Sequence, residues 1–311
     1  MTAPVIRRAE TPADRIAAAE VSAAVFTPDD ARWWRVCGRL SSGWRARADS
    51  WLLEEDGRVV CSLLSHPLEF VTPDGGTALG FGFGAVATLP EARGRGHAGA
   101  LCQHVAAHEQ ERGRGVGLLF SAVPPGFYAR FGWREVPGWA HETARLEELA
   151  ACAPGGAAGG AASAAGRWHP VDPRHQLDEL SRLYDDAHRG SLHMRRDGAG
   201  WARTWENSPD DLWLGLGAVG EPLRGFARLL VLKTVVSVVE LVVVDPAEEE
   251  PALAGLAQLA RELGRERLFG WLPPTPAVTR WFTGGDRSHD LPMVLGLDGV
   301  ERADLYESDH F

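Results

Sequence analysis

The chain has 311 residues, 45% of them hydrophobic, and a formal net charge of −10. That length makes room for about two domains of ~100–200 residues each, and the acidity argues against a nucleic-acid binder, which has to neutralise phosphates. No run approaches the ~20 apolar residues of a membrane span, and Glu10, Asp14 and Glu20 make the start unlike a signal peptide, so the sequence reads as a soluble, cytoplasmic protein.

In chain order, a first lobe is expected over residues 1–149. A helix is predicted over 14–26, opened by Thr11-Pro12. The runs 50–53 and 58–64 flank Glu55-Asp56-Gly57 and read as a paired hairpin. Residues 77–88 read as a further strand, 98–112 as a helix and 116–121 as an apolar strand. Residues 150–166 collapse to Ala, Gly, Pro and Ser with little charge, the composition of a flexible linker. A second lobe is expected over 167–297, with a helix at 171–190, strands at 212–216, 223–232 and 235–244, and a helix at 251–263. A tail, 298–311, remains. The expected class is α/β (α+β), two tandem lobes, each a mixed central sheet flanked by helices.

The chemistry concentrates where the strand 77–88 ends. Val86-Ala87-Thr88-Leu89-Pro90 turns into Arg93-Gly94-Arg95-Gly96-His97-Ala98 and a helix. Bare glycines let backbone N–H groups approach an anion, and the helix N-terminus adds partial positive charge. Arg93 and Arg95 add formal charge. A Walker loop would need Gly-Lys-Ser/Thr, and Lys233 is the only lysine of the chain. A dinucleotide fold would place an acid about 20 residues on, where 113–120 holds none.

Arg93-Gly94-Arg95-Gly96-His97-Ala98 resembles the Arg/Gln-x-x-Gly-x-Gly/Ala signature of the GNAT acyl-CoA-dependent N-acetyltransferases. Phe127-Tyr128-Ala129-Arg130-Phe131-Gly132-Trp133 resembles that family's Tyr-x-x-Phe-Gly-Phe element. The resemblance implies that acetyl-CoA is the coenzyme. It assigns coenzyme contacts to Val86, Ala87 and Thr88, to the loop residues Arg93, Gly94, Arg95, Gly96, His97, Ala98 and Gly99, and to Ser121 and Ala122. Tyr128 becomes the residue whose hydroxyl reaches the coenzyme sulfur. It is one of only three tyrosines.

The second lobe repeats the outline of the first. Its strand ends at Val244 and turns through Asp245-Pro246, but where the first lobe carries arginine and glycine it carries Glu248-Glu249-Glu250, which would repel a pyrophosphate. The pairing resembles the Eis (enhanced intracellular survival) type of tandem GNAT enzyme without its sterol-carrier-like third domain. In that type a C-terminal carboxylate enters the active site, which here would fall to Phe311. Such a carboxylate is a weak proton acceptor unless burial raises its pKa, so it would act as base or orient the amine. A solvated tail is the competing reading.

Candidate acceptor-pocket residues are Phe26, Trp33, Trp34 and Phe83, with Glu307 and Asp309 as attractors for a cationic amine. Cys37, Cys61, Cys102 and Cys152 lack metal or disulfide spacing and read as free thiols. His104 and His108 have no third ligand nearby, so no metal is expected. The function that follows is acetyl transfer from acetyl-CoA to a primary amine of a small cationic acceptor of aminoglycoside, polyamine or lysine type, by direct attack in a ternary complex. Homo-oligomers are allowed but not specified. A narrow amino-sugar or thiol-cofactor biosynthetic acetyltransferase and a non-catalytic acyl-CoA sensor remain the alternatives.

Overall fold

The computed structural model describes residues 3–26, 43–143, 145–153, 168–206, 208–298, 303–305 and 309. Its first sheet starts with β1 (Val5–Arg8), β2 (Asp49–Glu55) and β3 (Arg58–Val71), antiparallel in that order. The β2–β3 turn is tight because Asp56 and Gly57 both take positive φ, 49° and 77°, the geometry a two-residue hairpin requires. β4 (Thr77–Thr88) pairs antiparallel with β3, and β5 (Val116–Ser121) pairs with β4 in parallel.

Both faces of this sheet are covered. Alternation along β4 turns Phe81 and Phe83 to one side, where they bury against Leu101, Cys102 and Val105 of α2 (His97–Glu111). On the other face lies α1 (Pro12–Phe26), whose Ala18 carbonyl accepts from the Ser62 hydroxyl at 3.1 Å. The hairpin, β4, α2 and β5 fall where the sequence predicts them, to within a few residues, apart from β3, which runs on to Val71.

After α3 (Gly126–Ala129) and β6 (Arg134–Glu135), β7 (Trp139–Glu142) leaves the first sheet. A short helix, α4 (Leu146–Ala151), takes in Ala150 and Ala151, the first two residues of the expected linker. The second sheet is built from β8 (Trp168–Pro170), β10 (Leu212–Leu216), β11 (Gly225–Val231), β12 (Val235–Val243), β13 (Arg267–Gly270) and β14 (Thr283–Asp286), while β9 (His193–Met194) joins the edge of β3. Helices α5 (Leu177–Ala187), α6 (Gly198–Glu206), α7 (Pro246–Glu262) and α8 (Pro276–Trp281) accompany it.

Two helices differ from expectation at their starts. Residues 171–176 are not helical, because Pro173 is the second residue of a turn closed by the His175 N–H on the Asp172 carbonyl at 3.1 Å. Conversely α7 begins at Pro246, five residues before Pro251. Asp245 caps it, its side chain accepting from the Ala247 N–H at 2.9 Å, and Pro246 sits at the first helical position, where a missing N–H costs nothing.

The two sheets exchange strands. β15 (Leu291–Leu295), from the far end of the chain, inserts between β5 and β6 of the first sheet. Reciprocally, β7 inserts between β13 and β14 of the second. Among the described residues each sheet has one parallel pair of strands, β4 with β5 and β12 with β13, and each takes its next strand from the other half. The division between the sheets is therefore not a division of the chain at residue 149. The result is a mixed α/β protein with two mixed sheets flanked by helices. No helix among the described residues is long and apolar enough to cross a membrane.

Candidate active site

The site follows from where two strands part. β4 and β5 are paired only from Gly80↔Val116 to Phe83↔Leu119, yet β4 runs on to Thr88 and β5 to Ser121. Beyond Phe83 the ladder stops and a gap opens. On the opposite edge of β4, Ser62 faces Ala87 and Leu64 faces Gly84, so Ala85 and Val86 together oppose Leu63. Ala85 takes φ 50° at this bulge, which frees backbone groups from the ladder and re-aims them beside the gap.

At the end of β4 the Leu89 N–H reaches the Val60 carbonyl at 2.9 Å, and Pro90–Ala92 makes one tight turn. Gly94 and Gly96 then take φ 78° and 82°. A Cβ at either would meet nothing within 4 Å, so the backbone conformation demands glycine there and leaves the loop surface bare. Gly96 caps α2 with no side-chain hydrogen bond, and the N–H groups of the first helical turn are left for an anion.

Loop, bulged strand and α3 enclose a groove of about 1000 Å³. Tyr128 lies on its wall, its ring 4.8 Å from Phe127 and 6.3 Å from Trp133. Burial, with Cys102 and Cys61 behind it, pushes the Tyr128 hydroxyl above the ordinary tyrosine pKa. It keeps its proton throughout the neutral range. Burial also pushes Cys61 up to about 11 and Cys102 higher still, so both thiols are protonated and neither is a ready nucleophile.

The remaining predicted residues separate. Val86, Thr88, Arg93, Gly94, Gly96, His97, Ala98 and Gly99 line the groove with Tyr128, and Phe26, 48% exposed at the end of α1, closes one side. Arg93 donates Nε–H to the Thr88 carbonyl at 3.2 Å. Ala87 points away, buried with Val21 and Leu89. Arg95 turns outward to Glu55, at 2.5 Å. Ser121 is buried, its hydroxyl donating to the Val123 carbonyl at 2.7 Å, and Ala122 is exposed. Phe83 is a core residue, 5.2 Å from Trp133 under α2. The acceptor wall placed there by sequence is instead interior, because β4 alternation turns Phe83 with Phe81.

Asp309 is fully buried against Arg196 at 2.9 Å. Its charge is engaged by that guanidinium, not offered to an incoming amine. Trp33, Trp34, Glu307 and Phe311 lie outside the described residues. Sequence reasoning missed Val123, Pro124 and Arg130 on the groove wall. Arg130 held a signal, since a cation next to the tyrosine motif is within reach of any anion there. It stacks 4.7 Å over Phe127. Among the described residues no group of three or more His, Cys, Asp or Glu is placed to hold a metal ion.

A family profile described as an acetyltransferase (GNAT) domain matches residues 6–136. No curated protein matches the chain in sequence. Among solved structures, a conserved Enterococcus faecalis V583 protein of unknown function, a probable N-acyltransferase, superposes with TM-score 0.73 at 15% identity, over 96% of this chain and 73% of that one. A GCN5-related N-acetyltransferase from Anabaena variabilis gives TM-score 0.71 at 16% identity, over 94% and 72%. Eis1 from Mycobacterium abscessus gives 0.64 at 16% identity, over 94% and 73%. At these identities the likeness is one of fold, and it extends over both sheets.

Proposed function

Because residues 6–136 match a GNAT acetyltransferase domain and the pair of sheets shares the fold of Eis1, we propose that the chain moves acetyl from acetyl-CoA to a primary amine of a small cationic acceptor, of aminoglycoside, polyamine or lysine type. The observation that carries this reading is the groove where β4 and β5 part, with a bare glycine loop at one end and Tyr128 on its wall. The residues present fit a long ligand with a pyrophosphate: the glycines add no side chains, the N-terminus of α2 has no side-chain cap, and Arg93 and Arg130 stand at the groove.

When bound, acetyl-CoA supplies an acetyl thioester. The N–H groups of residues 94–99 would hold its phosphates, and the half-buried edge at Val86 and Thr88 would align the pantetheine arm. The backbone groups freed by the bulge at Ala85–Val86 would polarise the carbonyl. The amine forms its bond to the carbonyl carbon as the carbon–sulfur bond breaks, and Tyr128 Oη gives the departing thiolate a proton, regained from the amine through solvent. Protonated Cys61 and Cys102 support direct attack over an acyl-enzyme route. Alignment of two bound reactants supplies much of the acceleration, with effective molarities of ~10⁵–10⁸ M in well-oriented systems.

In this reading the first half carries the chemistry and the second shapes the acceptor side. The acidic turn of α7 is braced structurally, Glu248 by Arg224 at 2.6 Å and Glu250 by the Trp281 indole N–H at 2.7 Å. A terminal carboxylate as base is tested by adding a C-terminal tag, which should cut kcat and spare coenzyme affinity. The reading as a whole is tested by free-thiol release from acetyl-CoA with aminoglycosides, polyamines, lysine derivatives and amino sugars. Turnover across several amines is expected; turnover on one amino sugar alone points to a biosynthetic enzyme, and coenzyme binding with no turnover points to a sensor.

A further inference from the structure

Arg95 is drawn out of the groove by a carboxylate that lies outside the glycine motif. Glu55 ends β2, beside the hairpin tip, and its side chain is 12% exposed. Its Oε2 accepts from Arg95 Nη1 at 2.5 Å, while Arg95 Nη2 donates to the Glu91 carbonyl at 3.1 Å. Its other oxygen, Oε1, lies 3.7 Å from His97 Nε2. His97 is buried, and that nitrogen has no hydrogen-bond partner. One carboxylate thus meets the two residues on either side of Gly96.

We propose that Glu55 is a positioning residue for coenzyme binding. It braces the glycine loop from outside, bonded to Arg95 before Gly96 and with its second oxygen facing His97 after it, so that the N–H groups opening α2 are already aimed into the groove. The proposal rests on the acyl-CoA reading of that groove.

Two effects of Glu55 oppose each other. Its charge repels an anion, and its bonds order the loop. The repulsion acts across a solvent-exposed loop and is screened over a Debye length of ~8 Å at physiological salt. The ordering acts on a segment whose two glycines would otherwise lose the most backbone freedom on binding. A bond between charged groups, as between Glu55 and Arg95, is also among the stronger hydrogen bonds. Ordering therefore wins, and Glu55 favours the coenzyme despite its sign.

The test uses the full chain and coenzyme A as the calorimetric ligand, with acetyl-CoA steady-state kinetics alongside. Glu55→Gln should raise the Kd and the KM for acetyl-CoA about five- to tenfold, with the effect on KM and not on kcat. Glu55→Asp should recover part of the loss. Arg95→Ala, at a half-exposed side chain, should reproduce the shift, and Glu55→Gln with Arg95→Ala together should add nothing beyond the larger single effect. Tighter binding by Glu55→Gln, an unchanged Kd, or additive losses in the double variant would overturn the proposal. A wild-type chain that binds no coenzyme A would instead overturn the acyl-CoA reading and the proposal with it, an outcome separate from the other three.

Discussion

Met293 of β15 pairs with Leu119 of β5. The strand that closes the sheet beside the groove therefore comes from the opposite end of the chain. Met293 and Val294 are both buried, in the cores on the two faces of that sheet. Residues 1–149 alone would lose these contacts and leave the inner edge of β5 unpaired. Expressed alone, that piece should be insoluble or lack a cooperative thermal transition, as judged by circular dichroism. A folded fragment that binds coenzyme A would show that the strand exchange is dispensable.

Gly96 links loop and helix at φ 82° with free space around it. Gly96→Ala introduces no clash but places an L-residue in the left-handed region at a cost of about 1–2 kcal/mol. Since the α2 N-terminus is the proposed anion site, the acetyl-CoA KM should rise while the acceptor KM stays put. A rise in the acceptor KM alone would move the coenzyme elsewhere.

Much of this groove was legible because its signals are local. Glycine, arginine and helix onset follow one another in sequence from Arg93 to Ala98, and the hairpin around Asp56-Gly57 is specified by its own turn. The exchanged strands were not legible. Leu291–Leu295 is a short apolar run containing a proline, and nothing within it says which sheet it joins. The same holds for Phe83, whose burial depends on the pleat of β4 against α2, and for Asp309, an acid in a polar tail that reads as solvated until Arg196 is brought to it.

That pairing is energetically exposed. Arg196 reaches Asp309 at 2.9 Å and Glu240 at 2.8 Å, with its guanidinium 4.1 Å over Tyr184. Burial alone would lower its pKa, but Glu240 and Asp309 hold it above the ordinary arginine value. Removing one partner of such a cluster leaves uncompensated buried charge, at about 3–5 kcal/mol. Asp309→Asn should lower the melting temperature by several degrees, at ~2–4 °C per kcal/mol. An unchanged melting temperature would mean that the cluster does not hold the tail.

His188 provides a pH dependence. Its Nδ1–H faces the Tyr184 carbonyl at 2.6 Å, and burial pushes its pKa down to about 4, with Asp304 acting upward and His193 and Arg196 downward. The unfolded chain binds this proton from near pH 6.5, the folded one only near 4. The contribution is thus fully present above about pH 6.5 and is lost as pH falls towards 4. Urea unfolding between pH 7 and 5 should show stability falling with acid, and the slope should flatten in His188→Phe. An identical slope in that variant would remove His188 as the cause.

The most direct measurement is Tyr128→Phe, assayed for acetyl-CoA turnover on an accepted amine and for coenzyme affinity by calorimetry. The substitution keeps the buried ring among Phe127 and Trp133 and removes only the hydroxyl. If Tyr128 is the acid at the groove, kcat should fall by about 10²–10⁴ with coenzyme affinity intact. Unchanged turnover, or turnover and affinity lost together, would contradict the account.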